Sequence, residues 1–397
     1  MNFNTLYPDF PFSLPMILDG ATGTALIRAG MPSGVCPEQW ILENPEVIKG
    51  IQARYFKAGS DAVLAPTFGA NATVLSRYGL REKADEMNTA LASLSRETAD
   101  VFAGKYVAGD LSPTGKMLAP IGDITLDALA EIFSEQARAL DSLVDFYVIE
   151  TQMDLASARA AVLGVKAVSE KPVFVTMTVT ESGKTMYGDT PACALLALSE
   201  LGISAFGLNC STGPREMKKL LAPLLPLSVS LGIPLIAKPN AGAPSCDGAH
   251  EHLTPEEFAE VGREMLEAGI SVLGGCCGTD DLVIEALSRK AKEFSEAPAV
   301  PKVQTANLAS TSREITEILT DDLPLPIEAD DDLVDNAEEM ADEYDFLYIA
   351  VRSEEDAEAV LEATPFLTLP IAVCGELEAI SYLKRRYCGK IVTVSES

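Results

Sequence analysis

No stretch of this 397-residue chain reaches the ~18 to 20 consecutive apolar residues of a membrane-spanning helix. The first twenty residues, MNFNTLYPDFPFSLPMILDG, carry no basic n-region and no long apolar core, so a cytoplasmic protein is expected. Basic side chains are scarce. Lys and Arg number 30 against 59 Asp and Glu, and the formal net charge is −29. Such a surface repels phosphate, which sets aside nucleic acid and anionic membrane as partners. Eight cysteines, two of them adjacent, lack the spacing of a secreted disulfide framework. A dinucleotide-type glycine fingerprint and an EF-hand loop are also missing. Histidine occurs only at His250 and His252, in the loop-like AHEHLT, where a surface position is the expectation rather than a metal site.

What is present is apolar material, 47 % of residues, enough for one large core and a second, smaller one. From residue 16 to about 293, short apolar runs alternate with longer amphipathic ones. The strand candidates are PMILDG (15–20), DAVLAP (61–66), KYVAGD (105–110), FYVIET (146–151), PVFVTMT (172–178), SAFGLN (204–209), PLIAKP (234–239) and ISVLGG (270–275). Helix candidates between them include residues 45–59, 126–140 and 254–269, the last opened by Thr254 and Glu257 in capping-box spacing. Eight such units predict a (β/α)8 barrel over 1–293 in preference to an open doubly wound sheet. Residues 294–312 read as a connector. Residues 313–397 read as a small acidic α/β module, with fourteen acidic and no basic side chains between 314 and 345.

In a barrel the active site forms at the C-terminal ends of the strands. Cys210 falls just past the sixth strand candidate, and the adjacent Cys276 and Cys277 just past the eighth, between glycines. Three thiolates brought to one point make a soft metal site with one position open, which suits zinc used for chemistry. A vicinal pair alone also fits a redox switch; Cys210 tips the reading towards metal. Cys193 reads as a buried small hydrophobe within a helix.

The segments DGATGT (19–24), PTFGAN (66–71), GDLSPTG (109–115), IETQMD (149–154), GLNCSTGP (207–214), KPNAGAP (238–244) and GGCCGT (274–279) occur in this order, each near a predicted strand end. Together they resemble the homocysteine S-methyltransferase family, in particular the homocysteine-binding barrel of cobalamin-dependent methionine synthase. The resemblance spans roughly residues 10–293. It implies one zinc ion held by Cys210, Cys276 and Cys277, and homocysteine as the methyl acceptor, giving methionine. It also implies that Asp19 and Glu150 hold the substrate ammonium group. Main-chain groups at Gly20, Ala21, Gly23 and Thr24 are candidates for its carboxylate, because glycine permits close backbone approach. Asn71, Asn209 and Asn240, with Thr67, match positions near the barrel mouth and are expected to organise loops and touch substrate.

The resemblance points to a methylcorrinoid as donor, delivered by a separate corrinoid protein or module, since the chain has no D-x-H-x-x-G cobalamin signature. About 85 residues follow the connector, too few for a second barrel of ~200 residues, so the C-terminal module reads as a reduced remnant of a pterin-binding-like domain or an adaptor. Two alternatives stand beside this reading. One is an S-methylmethionine-dependent homocysteine methyltransferase, and the other a non-catalytic zinc- or thiol-binding subunit.

Overall fold

The computed structural model describes residues 3–394 except 120, 243–252, 295 and 321–322; His250, His252 and Cys246 lie outside the described residues. Chain contacts divide it into two units, residues 1–186 with 203–301, and residues 187–202 with 302–397.

The first unit is an eight-stranded parallel barrel. Its strands are Met16–Ile17 (β1), Ala62–Leu64 (β2), Tyr106–Leu111 (β3), Phe146–Gln152 (β4), Val173–Met177 (β5), Ala205–Asn209 (β6), Leu235–Lys238 (β7) and Val272–Leu273 (β8). All eight coincide with the runs read from the sequence. Pairing proceeds β1-β8-β7-β6-β5-β4-β3-β2. Every second residue points inward, and the inner layer is apolar: Leu18, Leu64, Ala108, Val148, Phe174 and Ile236 belong to one buried cluster. At the strands' N-terminal end, Phe10 and Phe12 pack on Phe174 and Phe146, with ring centroids 5.6 and 5.1 Å apart. These rings plug the bottom of the barrel and leave the C-terminal end for chemistry.

The ring is not closed by a ladder between β1 and β2. Carboxylates stitch that seam. Asp61 donates its N–H to the Ile17 carbonyl (2.6 Å) and accepts the Ile17 N–H on Oδ2 (2.8 Å). Higher up, Asp19 Oδ2 accepts the Leu64 N–H at 2.9 Å.

The surrounding helices follow their local signals. Thr254 and Glu257 form the expected capping box at the start of the helix Pro255–Ala268. Gly59, at φ 104°, closes the helix Pro45–Ala58 in the left-handed conformation that favours glycine.

The second unit contains an antiparallel pair, Leu308–Ser310 (β9) with Ile315–Glu317 (β10). It also holds a four-stranded parallel sheet of Ile327–Glu328 (β11), Leu347–Val351 (β12), Ile371–Gly375 (β13) and Val392–Thr393 (β14). The helix Pro191–Ser199 groups with this unit by contact. Ile349, Val351, Val373 and Leu383 are among the residues of its apolar core. Among the described residues, no helix is long and apolar enough to cross a membrane.

Candidate metal centre and substrate cavity

Three thiols converge at the open end of the barrel. The Sγ atoms of Cys210, Cys276 and Cys277 all lie within 4.8 Å of one another, and Cys210 and Cys277 are 3.9 Å apart. Sulfurs at tetrahedral corners with bonds of ~2.3 Å sit about 3.8 Å apart, so Cys210 and Cys277 already have the spacing of two zinc ligands, with the third sulfur close by. All three cysteines are free.

The local backbone explains the convergence. Cys210 and Ser211 take φ of 57° and 59°, a left-handed turn rarely adopted without glycine. This turn swings the Cys210 side chain back over the barrel mouth. The start of the loop after β7 then acts as a spacer between the ligand loops. The Lys238 carbonyl accepts the Cys210 N–H (3.0 Å), the Pro239 carbonyl accepts the Cys276 N–H (2.8 Å), and Ala241 donates to the Cys277 carbonyl (2.9 Å). Gly278, at φ 84°, completes the turn on the other side and donates to Thr24 Oγ1 (3.2 Å).

Hydrogen bonds from Cys276 and Cys277 lower the Cys210 thiol to about 3. Cys210 in turn raises both neighbours, so the three thiols titrate as one coupled group.

Beside the thiols lies a cavity of about 310 Å³. Asp19, Gly20, Ala21, Gly23, Thr24 and Glu150 line it together with the three cysteines, and Phe68, Pro66 and Ile41 are part of its apolar wall. Asp19 is almost fully buried. Burial raises its carboxyl to about 7, partly offset by Lys238 and by the Leu64 N–H. One oxygen is engaged at the β1/β2 seam, while Oδ1 has no hydrogen-bond partner. The Ala21 amide is already taken by Thr279 Oγ1 (3.1 Å), which leaves the first-turn amides of Gly23 and Thr24 open in the helix Thr22–Arg28.

The three asparagines sit outside the cavity lining. Asn71 caps the helix Ala72–Ser76 by accepting the Val74 N–H (2.9 Å). Asn209 accepts from the Thr151 N–H (2.9 Å) and Thr176 Oγ1 (3.0 Å), and donates to Thr151 Oγ1 (2.8 Å). It thereby holds Thr151 at φ 61°, and its amide points at Cys276 Sγ (3.9 Å). Asn240 donates its backbone N–H to the Thr212 carbonyl (3.0 Å), and its side chain hydrogen-bonds Cys210. Thr67 bonds the Asp110 backbone on β3.

Two groups in the cavity were not singled out from the sequence. Lys238, at the end of β7, is buried and pairs with Glu150 Oε2 at 2.8 Å. The carboxylates around it hold its ammonium well above the ordinary lysine range against the effect of burial. Asp110, on β3, also lines the cavity, and burial together with Glu150 raises its carboxyl. Both were legible from period two: Lys238 follows inward-facing Ile236, and Asp110 follows inward-facing Ala108. A charged residue continuing an apolar inward series is the signal.

Comparison with known proteins places this geometry. The family profile described as Homocysteine S-methyltransferase matches residues 16–291. Methionine synthase of Mycobacterium tuberculosis is 33 % identical over 317 residues, covering 73 % of this chain and 26 % of that protein. Methionine synthase of Mycobacterium leprae is 35 % identical over 283 residues, covering 66 % and 23 %. The chain thus spans about a quarter of the length of these relatives. Among solved structures, the Escherichia coli homocysteine methyltransferase MmuM superposes with TM-scores of 0.59 (metallated form) and 0.60 (oxidised form), each at 22 % identity. The two alignments cover 69 % and 73 % of this chain and 96 % and 100 % of the other.

Proposed function

Because this chain belongs to the homocysteine S-methyltransferase family, we propose that it transfers a methyl group to the sulfur of homocysteine to form methionine. The observation that carries the reading is the convergence of Cys210, Cys276 and Cys277 beside an acidic cavity of amino-acid size. Zinc bound there would hold the substrate sulfur as a thiolate at neutral pH, and three cysteine thiolates would keep that sulfur electron-rich. The loop Lys238–Ala241 holds the backbone of all three cysteines and Asn209 reaches Cys276 Sγ, so the site is organised before substrate arrives. Asp19 receives the substrate ammonium on its unpartnered Oδ1. The amides of Gly23 and Thr24 face the carboxylate. The sulfur then attacks the donor methyl carbon in line. The bond to the leaving group breaks with its electron pair, and no side chain is methylated.

For the donor, S-methylmethionine is favoured over the methylcorrinoid. The cavity holds Asp19, Asp110 and Glu150 against one buried lysine, a field that suits a small cationic sulfonium. The barrel alone also corresponds to nearly the whole of the Escherichia coli homocysteine methyltransferase MmuM, which supports a reaction completed within a single domain. The 33–35 % identity to methionine synthases favours the corrinoid as the second reading. A reducing cytoplasm is the compartment that keeps the three thiols available.

The test measures zinc content and homocysteine methylation with S-methylmethionine, methylcobalamin, methyltetrahydrofolate, betaine and S-adenosylmethionine in turn. Turnover with S-methylmethionine is expected. Turnover with methylcobalamin alone overturns the donor assignment. Cys210→Ser, Cys276→Ser and Cys277→Ser should each lose zinc and activity, and full activity in all three overturns the metal centre.

A further inference from the structure

One buried carboxylate in the cavity wall belongs neither to the metal centre nor to the Glu150–Lys238 pair. Glu38, on the helix Pro37–Glu43, is 4 % exposed and lines the cavity. Its partners are two uncharged donors: Oε1 accepts the Gly69 N–H at 2.8 Å, and Oε2 accepts the Cys36 thiol at 3.4 Å. A buried carboxylate is tolerated only where such hydrogen bonds are made.

The Gly69 amide lies in the loop after β2, whose Pro66 and Phe68 are part of the apolar wall. Carbonyls of this loop are met by side chains from later in the barrel. Ser112 Oγ donates to the Phe68 carbonyl, Gln136 Nε2 to that of Thr67 (2.8 Å) and Asn88 Nδ2 to that of Ala70 (2.7 Å). Glu38 reaches the same loop from the connection between β1 and β2, and so ties together two loops that both line the cavity. The fit is mutual. A Cβ at Gly69 would stand 2.5 Å from Glu38 Oε1, so the carboxylate approaches this amide only because residue 69 has no side chain. Phe68, 42 % exposed, is the residue next to the clasp.

We infer that Glu38 is a positioning residue, whose carboxylate clasps the Gly69 amide and thereby fixes the Phe68 wall beside the amino-acid substrate. This rests on the homocysteine reading above. No proton and no methyl group passes through Glu38; its effect on the ligand runs through the β2 loop.

Glu38→Ala, Glu38→Gln, Gly69→Ala and the double variant Glu38→Ala/Gly69→Ala are compared in two assays. Amide hydrogen exchange across residues 65–71, read by mass spectrometry, follows the clasp itself. Glu38→Ala should speed exchange at Gly69 about 10- to 100-fold, the range of one hydrogen bond to a charged group. Glu38→Gln keeps an acceptor and should stay within about fivefold of the wild type. Calorimetric titration of the zinc-loaded chain with L-homocysteine follows the wall. Glu38→Ala should weaken binding about tenfold with zinc content unchanged, and Glu38→Gln should recover most of the loss. Gly69→Ala breaks the same contact from the other partner, so the double variant should be no worse than the worse single one. Gly69→Ala also carries the comparison if Glu38→Ala does not fold. Unchanged exchange without the carboxylate, a Gln form as weak as the Ala form, or losses that add in the double variant each overturn the inference and leave the methyltransferase reading intact. A wild-type protein that binds zinc but no homocysteine overturns the parent reading, and this one with it.

Discussion

Removing the Lys238 ammonium should damage the barrel more than removing the whole ion pair. The Nζ–Oε2 separation is 2.8 Å, with side-chain exposures of 4 % and 11 %. At an effective dielectric of about 20, opposite charges at that distance attract by about 6 kcal/mol. Desolvation of two buried ions offsets most of this, so the net worth of the pair is small. Lys238→Met leaves Glu150 buried beside Asp110 and Asp19 with no cation, and a broken buried pair costs about 3 to 5 kcal/mol. The double variant Lys238→Met/Glu150→Gln removes both charges and should recover most of that loss. Trp40 makes the measurement specific, because the chain's only tryptophan lies on the helix Pro37–Glu43 of the barrel unit. Urea unfolding followed by its fluorescence should show a large drop in midpoint for the single variant and a partial return for the double. If the double variant is as unstable as Lys238→Met alone, the loss comes from packing of the lysine stem and the electrostatic account fails.

Asp19 should make stability pH-dependent. Its folded carboxyl titrates near 7, against about 3.9 unfolded, so between those values the folded chain binds the extra proton. That contribution is complete below about pH 4, is lost as pH rises to about 7, and is absent above. Asp19→Asn should therefore be more stable than the wild type at pH 8, by up to the order of 4 kcal/mol, with the difference shrinking towards pH 4. A pH-independent difference in unfolding midpoint refutes the assignment. Gly207→Ala on β6 should destabilise the barrel by on the order of 2 to 4 kcal/mol, because a Cβ there would stand 1.9 Å from the Ile236 carbonyl oxygen. An unchanged Trp40 unfolding curve would contradict that packing.

The barrel was legible because period-two apolar runs recur with helix-length spacers, and the structure places strands at all eight. The metal trio was legible for a related reason: strand ends converge in a barrel wherever they fall in the sequence. The turn that brings Cys210 into place was not. Cys210, Ser211 and Thr151 adopt positive φ without glycine, held there by tertiary contacts such as those of Asn209 that no local pattern announces. Lys238 was not singled out for a different reason: it continues the inward series of Ile236, but the partner that gives it a role, Glu150, lies 88 residues earlier in the chain. The helix Pro191–Ser199 carries the right length and caps for a barrel helix. Its grouping with the C-terminal unit depends on contacts made more than a hundred residues later.

The carboxylate stitching between β1 and β2 places a constraint on how this site can change. Asp19 performs two tasks with its two oxygens, one towards Leu64 across the seam and one towards the cavity. A substitution that re-aims the site at a different ligand by altering Asp19 also removes a fastener from the one place where the ring lacks a ladder. Change at Asp19 is therefore constrained by architecture to residues that keep an oxygen for the Leu64 N–H.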